Sequence, residues 1–112
     1  MTIIDLETGR PDTGTAMKKL YNQIYLARSR GAREAKIIHG YGSSGTGGAI
    51  KRACLTELSS YRRRGIIKAY CPGEQFGPMS QGGRDILTLR PELKKDKDWA
   101  RCNDGITVVV LK

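Results

Sequence analysis

The sequence is poor in the residues that build metal centres and disulfide scaffolds. Among 112 residues there is one histidine, His39, and three cysteines, Cys54, Cys71 and Cys102, none in a C-x-x-C pair. A structural zinc site therefore lacks its ligands. The odd cysteine count suits free thiols in a reducing cytoplasm, and Cys54, on the apolar face of an expected helix, reads as a buried structural residue. No run approaches the ~20 apolar residues of a membrane-spanning helix, which excludes an integral membrane protein of that kind. The first nine residues contain Asp5 and Glu7 and no base. A secretory signal needs a basic start, so none is expected and the expected location is cytoplasmic.

Positive charge, by contrast, is abundant. Twenty Lys and Arg face eleven Asp and Glu, for a formal charge of +9. An apolar content of 38% supports a modest core, so residues 1–112 read as one compact domain. The charge is unevenly placed: residues 10–68 hold 13 basic and 3 acidic residues, whereas residues 69–112 hold 7 and 6. Clustering of this kind points to a polyanionic partner, nucleic acid above all.

Apolar periodicity divides the chain into alternating strands and helices. Thr2–Leu6 reads as a buried strand. Asp12 or Thr13 can cap a helix over about 15–30, in which Met17, Leu20, Ile24 and Ala27 share a face and Gly31 is the stop. Ala35–His39 is a second strand and Gly40–Gly48 a glycine-rich loop. A second helix, about 49–64, places Ile50, Cys54, Leu58 and Tyr61 on one face and ends at Gly65; Ile66–Cys71 is a third strand. Pro72–Gly83 reads as an irregular loop, 84–90 suits a short helix or a short strand, with helix preferred, and Glu92–Asp98 reads as a charged, solvent-facing stretch. Ile106–Leu111 (ITVVVL) is the most strand-like segment. Two right-handed crossovers make the first three strands parallel, with the last an antiparallel or mixed member of the sheet.

The loop after His39 carries the chemistry. Its glycines let the backbone approach a ligand, and it feeds a helix N-terminus, whose free amides attract anions. Lys51 and Arg52 follow where the helix dipole disfavours bases, so an anionic ligand would offset the conflict. Gly40, Tyr41, Gly42, Ser43, Ser44, Gly45, Lys51 and Arg52 are therefore the candidate phosphate- and nucleic-acid-binding residues, with Tyr41 placed to stack on a base. Gly40–Gly45 also spells G-x-G-x-x-G, but residues 58–73 lack the acid that a dinucleotide fold requires. No Lys or Arg directly follows a loop glycine, so a Walker loop fails too, and no nucleotide cofactor is expected.

Asp5 and Glu7 share one face of the first strand near its C-terminal end. If the first two strands are parallel neighbours, both carboxylates and His39 converge on the edge where α/β sheets place ligands. The carboxylates would then be candidate ligands for Mg²⁺ or Mn²⁺, and His39 a general base or acid. The alternative is structural, with Asp5 capping a turn and His39 bonded to backbone.

Ile4-Asp5-Leu6, His39-Gly40-Tyr41-Gly42 and Gly105-Ile106-Thr107-Val108-Val109 together resemble the Smr (small MutS-related) domain family. The resemblance implies an α+β fold, a two-layer α/β sandwich of β-α-β-α-β-β order with a mixed four-stranded sheet, similar to the C-terminal domain of translation initiation factor 3. It also implies binding to DNA or RNA, by structure rather than sequence, and in several members metal-dependent endonuclease activity. By motif position, Asp5 matches the acid of the family's L-D-x-H element, and His39, Gly40 and Gly42 match its H-G-x-G element. Glu7 stands where the family has a histidine, Ser44 where it usually has a third glycine, and an insertion at about 72–104 exceeds the usual link. Two alternatives stay open: a nucleic-acid-binding module without catalysis, and a protein-interaction module. Lys18, Lys19, Arg28, Arg30, Arg33 and Lys36 read as further phosphate contacts, while Arg62–Arg64 also suit a helix C-terminus on dipole grounds.

Overall fold

A computed structural model describes residues 1–41 and 46–112; the expected site residues Gly42, Ser43, Ser44 and Gly45 lie outside the described residues. Strand β1 is Thr2–Asp5, helix α1 Thr13–Ser29, β2 Glu34–Ile38, α2 Thr46–Arg63, β3 Ile67–Pro72, α3 Gln81–Leu89 and β4 Ile106–Leu111. The sheet order is β1-β2-β4-β3. β1 and β2 pair in parallel, and β4 runs antiparallel to both β2 and β3. The first three strands therefore share one direction and β4 lies between β2 and β3. The fold is α+β, with a mixed four-stranded sheet and three α-helices.

Both long helices follow from local sequence. The Asp12 side chain accepts from Thr15 N at 2.7 Å and caps α1. Ala16, Leu20, Ile24 and Ala27 form its buried stripe; Met17, expected there, is only half-buried, because the face is turned by one residue toward Ala16. Gly31, at φ +78°, and Gly65, at φ +75°, stop α1 and α2 in a conformation that other residues adopt at a cost. Ile50, Cys54, Leu58 and Tyr61 form the buried stripe of α2. These stripes pack on one face of the sheet, against Ile4, Ala35, Ile37, Ile67, Val109 and Leu111.

The opposite face is covered by residues 73–104. Cys71, Ile106, Val108 and Val110 of the sheet meet Phe76, Ile86 and Leu93, with Trp99 edge-on to Phe76 at 5.0 Å. This explains why β4 is buried along its whole length and apolar at five of its six positions.

Two segments depart from the sequence-based expectation. Pro72–Gly83 is not wholly irregular: a 3₁₀ turn occupies Gly73–Gln75, and α3 starts at Gln81 with Ser80 as its cap. Its glycines serve close packing, since a Cβ on Gly73 would sit 1.7 Å from Asn103 O and one on Gly83 would sit 2.0 Å from Gly77 O. Glu92–Asp98 is not simply solvent-facing. Pro91–Lys95 forms a 3₁₀ helix that buries Leu93, and Asp98 is buried as well. The reason is Lys36, a buried β2 residue on this face, whose ammonium donates to Asp96 at 2.7 Å and to Asp98 at 2.5 Å. A buried charge demands partners, and the insertion supplies them.

Candidate functional site

The C-terminal ends of β1 and β2 form the edge at which the expected site residues gather. Asp5 pairs with Ile38 across the parallel ladder, and Leu6 N continues the ladder to Ile38 O at 2.8 Å. The backbone amides of His39 and Gly40 both donate to Gly105 O at 3.1 Å, which joins the His-Gly turn to the start of β4. Gly40 has φ +86°, and a Cβ there would meet the Glu7 carboxylate at 2.6 Å. The positive φ favours glycine, whereas the exposed Glu7 side chain could swing away from a Cβ.

Register then separates residues that share the edge. Ile4, Leu6 and Ile37 pack on the helical face of the sheet. Strand alternation puts His39 on that face and Asp5 on the other, and Glu7, past the end of β1, lines the groove on that second face. His39 is 1% exposed, with Nδ1 3.0 Å from Gly40 O and Nε2 2.8 Å from Thr107 Oγ1. A carbonyl only accepts, so Nδ1 carries the proton and Nε2 accepts from the Thr107 hydroxyl. Burial holds the imidazole below its ordinary pKa, only partly opposed by the Gly40 carbonyl. His39 is thus a neutral, doubly bonded residue that ties the turn to β4.

Asp5 closes a turn. One carboxylate oxygen accepts from Glu7 N at 2.8 Å and Thr8 N at 3.0 Å, and the other accepts from the Thr8 hydroxyl at 2.5 Å. The Thr8 hydroxyl, followed by the amides, holds its carboxyl below the usual range. Glu7 is exposed and lines a groove of about 340 Å³ on the sheet's second face. Ile3, Ile38 and Ile106 give this groove apolar surface, Asp98 and Asn103 polar surface, and Tyr41 also lines it. The Tyr41 ring approaches Gly105, where a Cβ would lie 3.2 Å from Cε1, yet the residue is 63% exposed.

The two expected basic contacts of α2 behave differently. α2 begins at Thr46, so Lys51 lies past the first turn rather than in it. Its ammonium is held by Glu74 at 2.9 Å and by Asp104 O at 2.9 Å. The anion beside this base is thus a carboxylate of the chain's own insertion. Lys36 is likewise removed from any phosphate surface by Asp96 and Asp98, whereas Arg52 is exposed. Sequence reasoning missed Glu74, Asp98, Asn103 and Asp104, which lie in the segment it read as irregular or solvated. Asn103 links them to the site: its amide donates to Asp98 at 3.0 Å and its carbonyl oxygen accepts from Gly105 N at 3.1 Å. Thr107 stood in the expected closing strand, but its bond to His39 depends on register.

As a candidate metal centre the edge fits poorly. Among the described residues no three His, Cys, Asp or Glu side chains form a group able to hold an ion. Both Asp5 oxygens are engaged in the turn and so are poorly placed to coordinate an ion.

A mixed β1-β2-β4-β3 sheet, two helices on one face and a His-Gly turn at the strand ends define a small α+β domain of known architecture. A sequence model of the Smr domain matches residues 4–84, and the chain belongs to that family. The crystal structure of the Smr domain of Thermus thermophilus MutS2 is similar throughout, with a TM-score of 0.60, 20% identity and coverage of 100% of this chain and 99% of that one. No curated protein matches by sequence. At that identity the structural likeness speaks for the fold alone. No helix among the described residues is long and apolar enough to cross a membrane.

Proposed function

We propose that this Smr domain binds nucleic acid at the C-terminal edge of its sheet, by stacking a base on Tyr41, and does so without cleaving it. The observation that carries the reading is an exposed aromatic ring on a pinned turn. Tyr41 is 63% exposed directly after two residues whose amides are fixed to Gly105, and it lines an open groove with an apolar floor. An aromatic held in this way loses little freedom on stacking, a contact worth roughly 1–3 kcal/mol per base. Family membership supports the ligand class. The absence of catalysis rests on the placement of the candidate groups. His39 is buried and doubly bonded, Asp5 is committed to its turn, and Glu7 lies on the other face from His39.

The test is anisotropy of a labelled single-stranded oligonucleotide with wild-type protein and Tyr41→Ala. A loss of about tenfold is expected, equivalent to roughly 1.4 kcal/mol. Unchanged affinity removes Tyr41 from the interface. Incubating plasmid and structured RNA with Mg²⁺ or Mn²⁺, against EDTA, is expected to leave both intact. Metal-dependent cleavage lost in Glu7→Gln or His39→Ala overturns the non-catalytic reading and establishes the endonuclease.

A further inference from the structure

The charge excess does not surround the His-Gly turn. At that edge Asp5, Glu7, Asp12, Glu74 and Asp104 oppose the bases, and Lys51 is already paired. The opposite end of the sheet is different. There α1 and α2 terminate, β2 and β3 begin and β4 ends, with Ile67 paired to Leu111 and Leu111 N bonded to Arg33 O at 2.8 Å. Arg30, Arg33, Arg62, Arg63, Arg64 and Lys68 are all exposed at this end. Glu34, the acid of β2, is taken up by Arg90. Helix dipoles account for bases only in the last turn of each helix. Arg33 and Lys68 lie beyond the helices, so a second cause is needed for keeping so many like charges together.

Aromatic surface adjoins this cluster. Tyr21 and Tyr25 of α1 stand 4.7 Å apart and remain 43% and 39% exposed. The Arg28 guanidinium lies over the Tyr25 ring at 5.4 Å. Tyr21 also reaches toward α2, 6.2 Å from the buried Tyr61, the neighbour of Arg62 in the chain. Cations with exposed rings among them suit a phosphate backbone with unstacked bases, the rings stacking on the bases and the cations meeting the phosphates.

We propose that the C-terminal end of α1 and α2 is a second nucleic-acid contact, distinct from the His-Gly edge. Arg30, Arg33 and Arg62–Arg64 take the phosphates, and the Tyr21–Tyr25 pair takes a single-stranded base. The ligand class is nucleic acid with unpaired nucleotides. This extends the reading given for Tyr41 but uses none of its residues.

The test uses a labelled single strand of roughly 15 nucleotides, within the site size of small single-strand binders. Wild type is compared with Arg62→Gln/Arg63→Gln/Arg64→Gln, Tyr25→Ala, Tyr25→Phe and Tyr41→Ala over a salt series. The arginine variant is expected to bind about tenfold or more weakly at ~0.1 M salt, with a log–log salt slope shallower by about two. Tyr25→Ala is expected to lose about fivefold or more, and Tyr25→Phe to bind as wild type. Circular dichroism melts confirm that these surface variants fold. If wild type binds and both the arginine and the Tyr25→Ala variants match it, this inference fails while the Tyr41 reading stands. If the arginine variant weakens and Tyr25→Ala does not, base stacking is refuted and the patch belongs to a generic polyanion or acidic protein. If wild type binds no oligonucleotide, both readings fail.

Discussion

The two faces of the sheet are built on opposite principles. The helical face is closed by two amphipathic helices whose buried side chains, among the described residues, are almost all apolar, and the pair His39–Thr107 is a satisfied polar insertion there. The second face is closed by 3₁₀ turns and one short helix, and around Lys36 it is tied by charge as well as packing. The difference lies in what each layer can do alone. A long helix brings its own hydrogen bonds and a continuous stripe, so burial suffices to dock it. Short turns have neither, and a specific polar anchor fixes where they sit.

The largest effect should come from breaking that anchor. Lys36→Ala leaves Asp96 and Asp98 without their cation, Asp98 being buried, and is expected to cost about 4 kcal/mol in urea denaturation. A loss below about 1 kcal/mol would mean that packing alone holds the second layer. Lys36→Met/Asp96→Asn/Asp98→Asn should recover part of the loss, because no uncompensated charge is then left at the site and the introduced amide can still accept from Asn103. Next in size is Gly73→Ala. Its Cβ would collide with Asn103 O and Ile106 Cδ1, at an expected cost of about 3 kcal/mol. Gly14→Ala in α1, with 3.6 Å of clearance, is the matched control and should change stability by less than ~1 kcal/mol.

The smallest effect is in pH, and it has the same sign on both faces. Burial depresses the His39 pKa, so the unfolded chain takes up its proton first. Stability from this group is complete above the ordinary histidine value of about 6.5 and is lost as pH falls through the lower folded value. At Asp98, burial pushes the pKa up, but hydrogen bonds from Asn103 and Lys36 outweigh it and the net shift is downward. Its contribution is therefore present above a pH of about 4 and disappears below. Two successive losses on acidification are expected in thermal melts. His39→Asn should remove the upper one and leave the lower, whereas retention of both would place the upper titration elsewhere.

How much of this was legible beforehand follows the same division. α1, α2 and the four strands could be read because each advertises itself locally, through apolar spacing, the Asp12 cap and the stops at Gly31 and Gly65. Residues 73–104 could be read only at the short helix expected over 84–90, which falls on α3; the rest takes its order from partners far along the chain. Nothing local marks Gly73 as lying against Asn103, or Lys36 as waiting for Asp96 and Asp98. The convergence of the candidate residues on one edge was legible, and their facing was not. Asp5, Glu7 and His39 do reach one edge, but the pairing of Asp5 with Ile38 decides which side of the sheet each occupies. Register of this kind is invisible in sequence, and a shift of one residue exchanges the faces. Segment charge was misleading for a related reason. Two bases of the 10–68 excess, Lys36 and Lys51, are neutralised by acids from residues 69–112.

The position of β4 also sets an order of events in time. It is the strand that joins β2 to β3, yet it follows every other element in the chain. On a ribosome adding ~5–20 residues per second, β3 would wait roughly 2–7 s for its neighbour while the intervening segment is made. Throughout that interval β1–β2 and β3 belong to no common sheet, and the layer destined for the second face emerges before the surface it is to cover. The sheet is therefore complete only once β4 is available to pair with both β2 and β3.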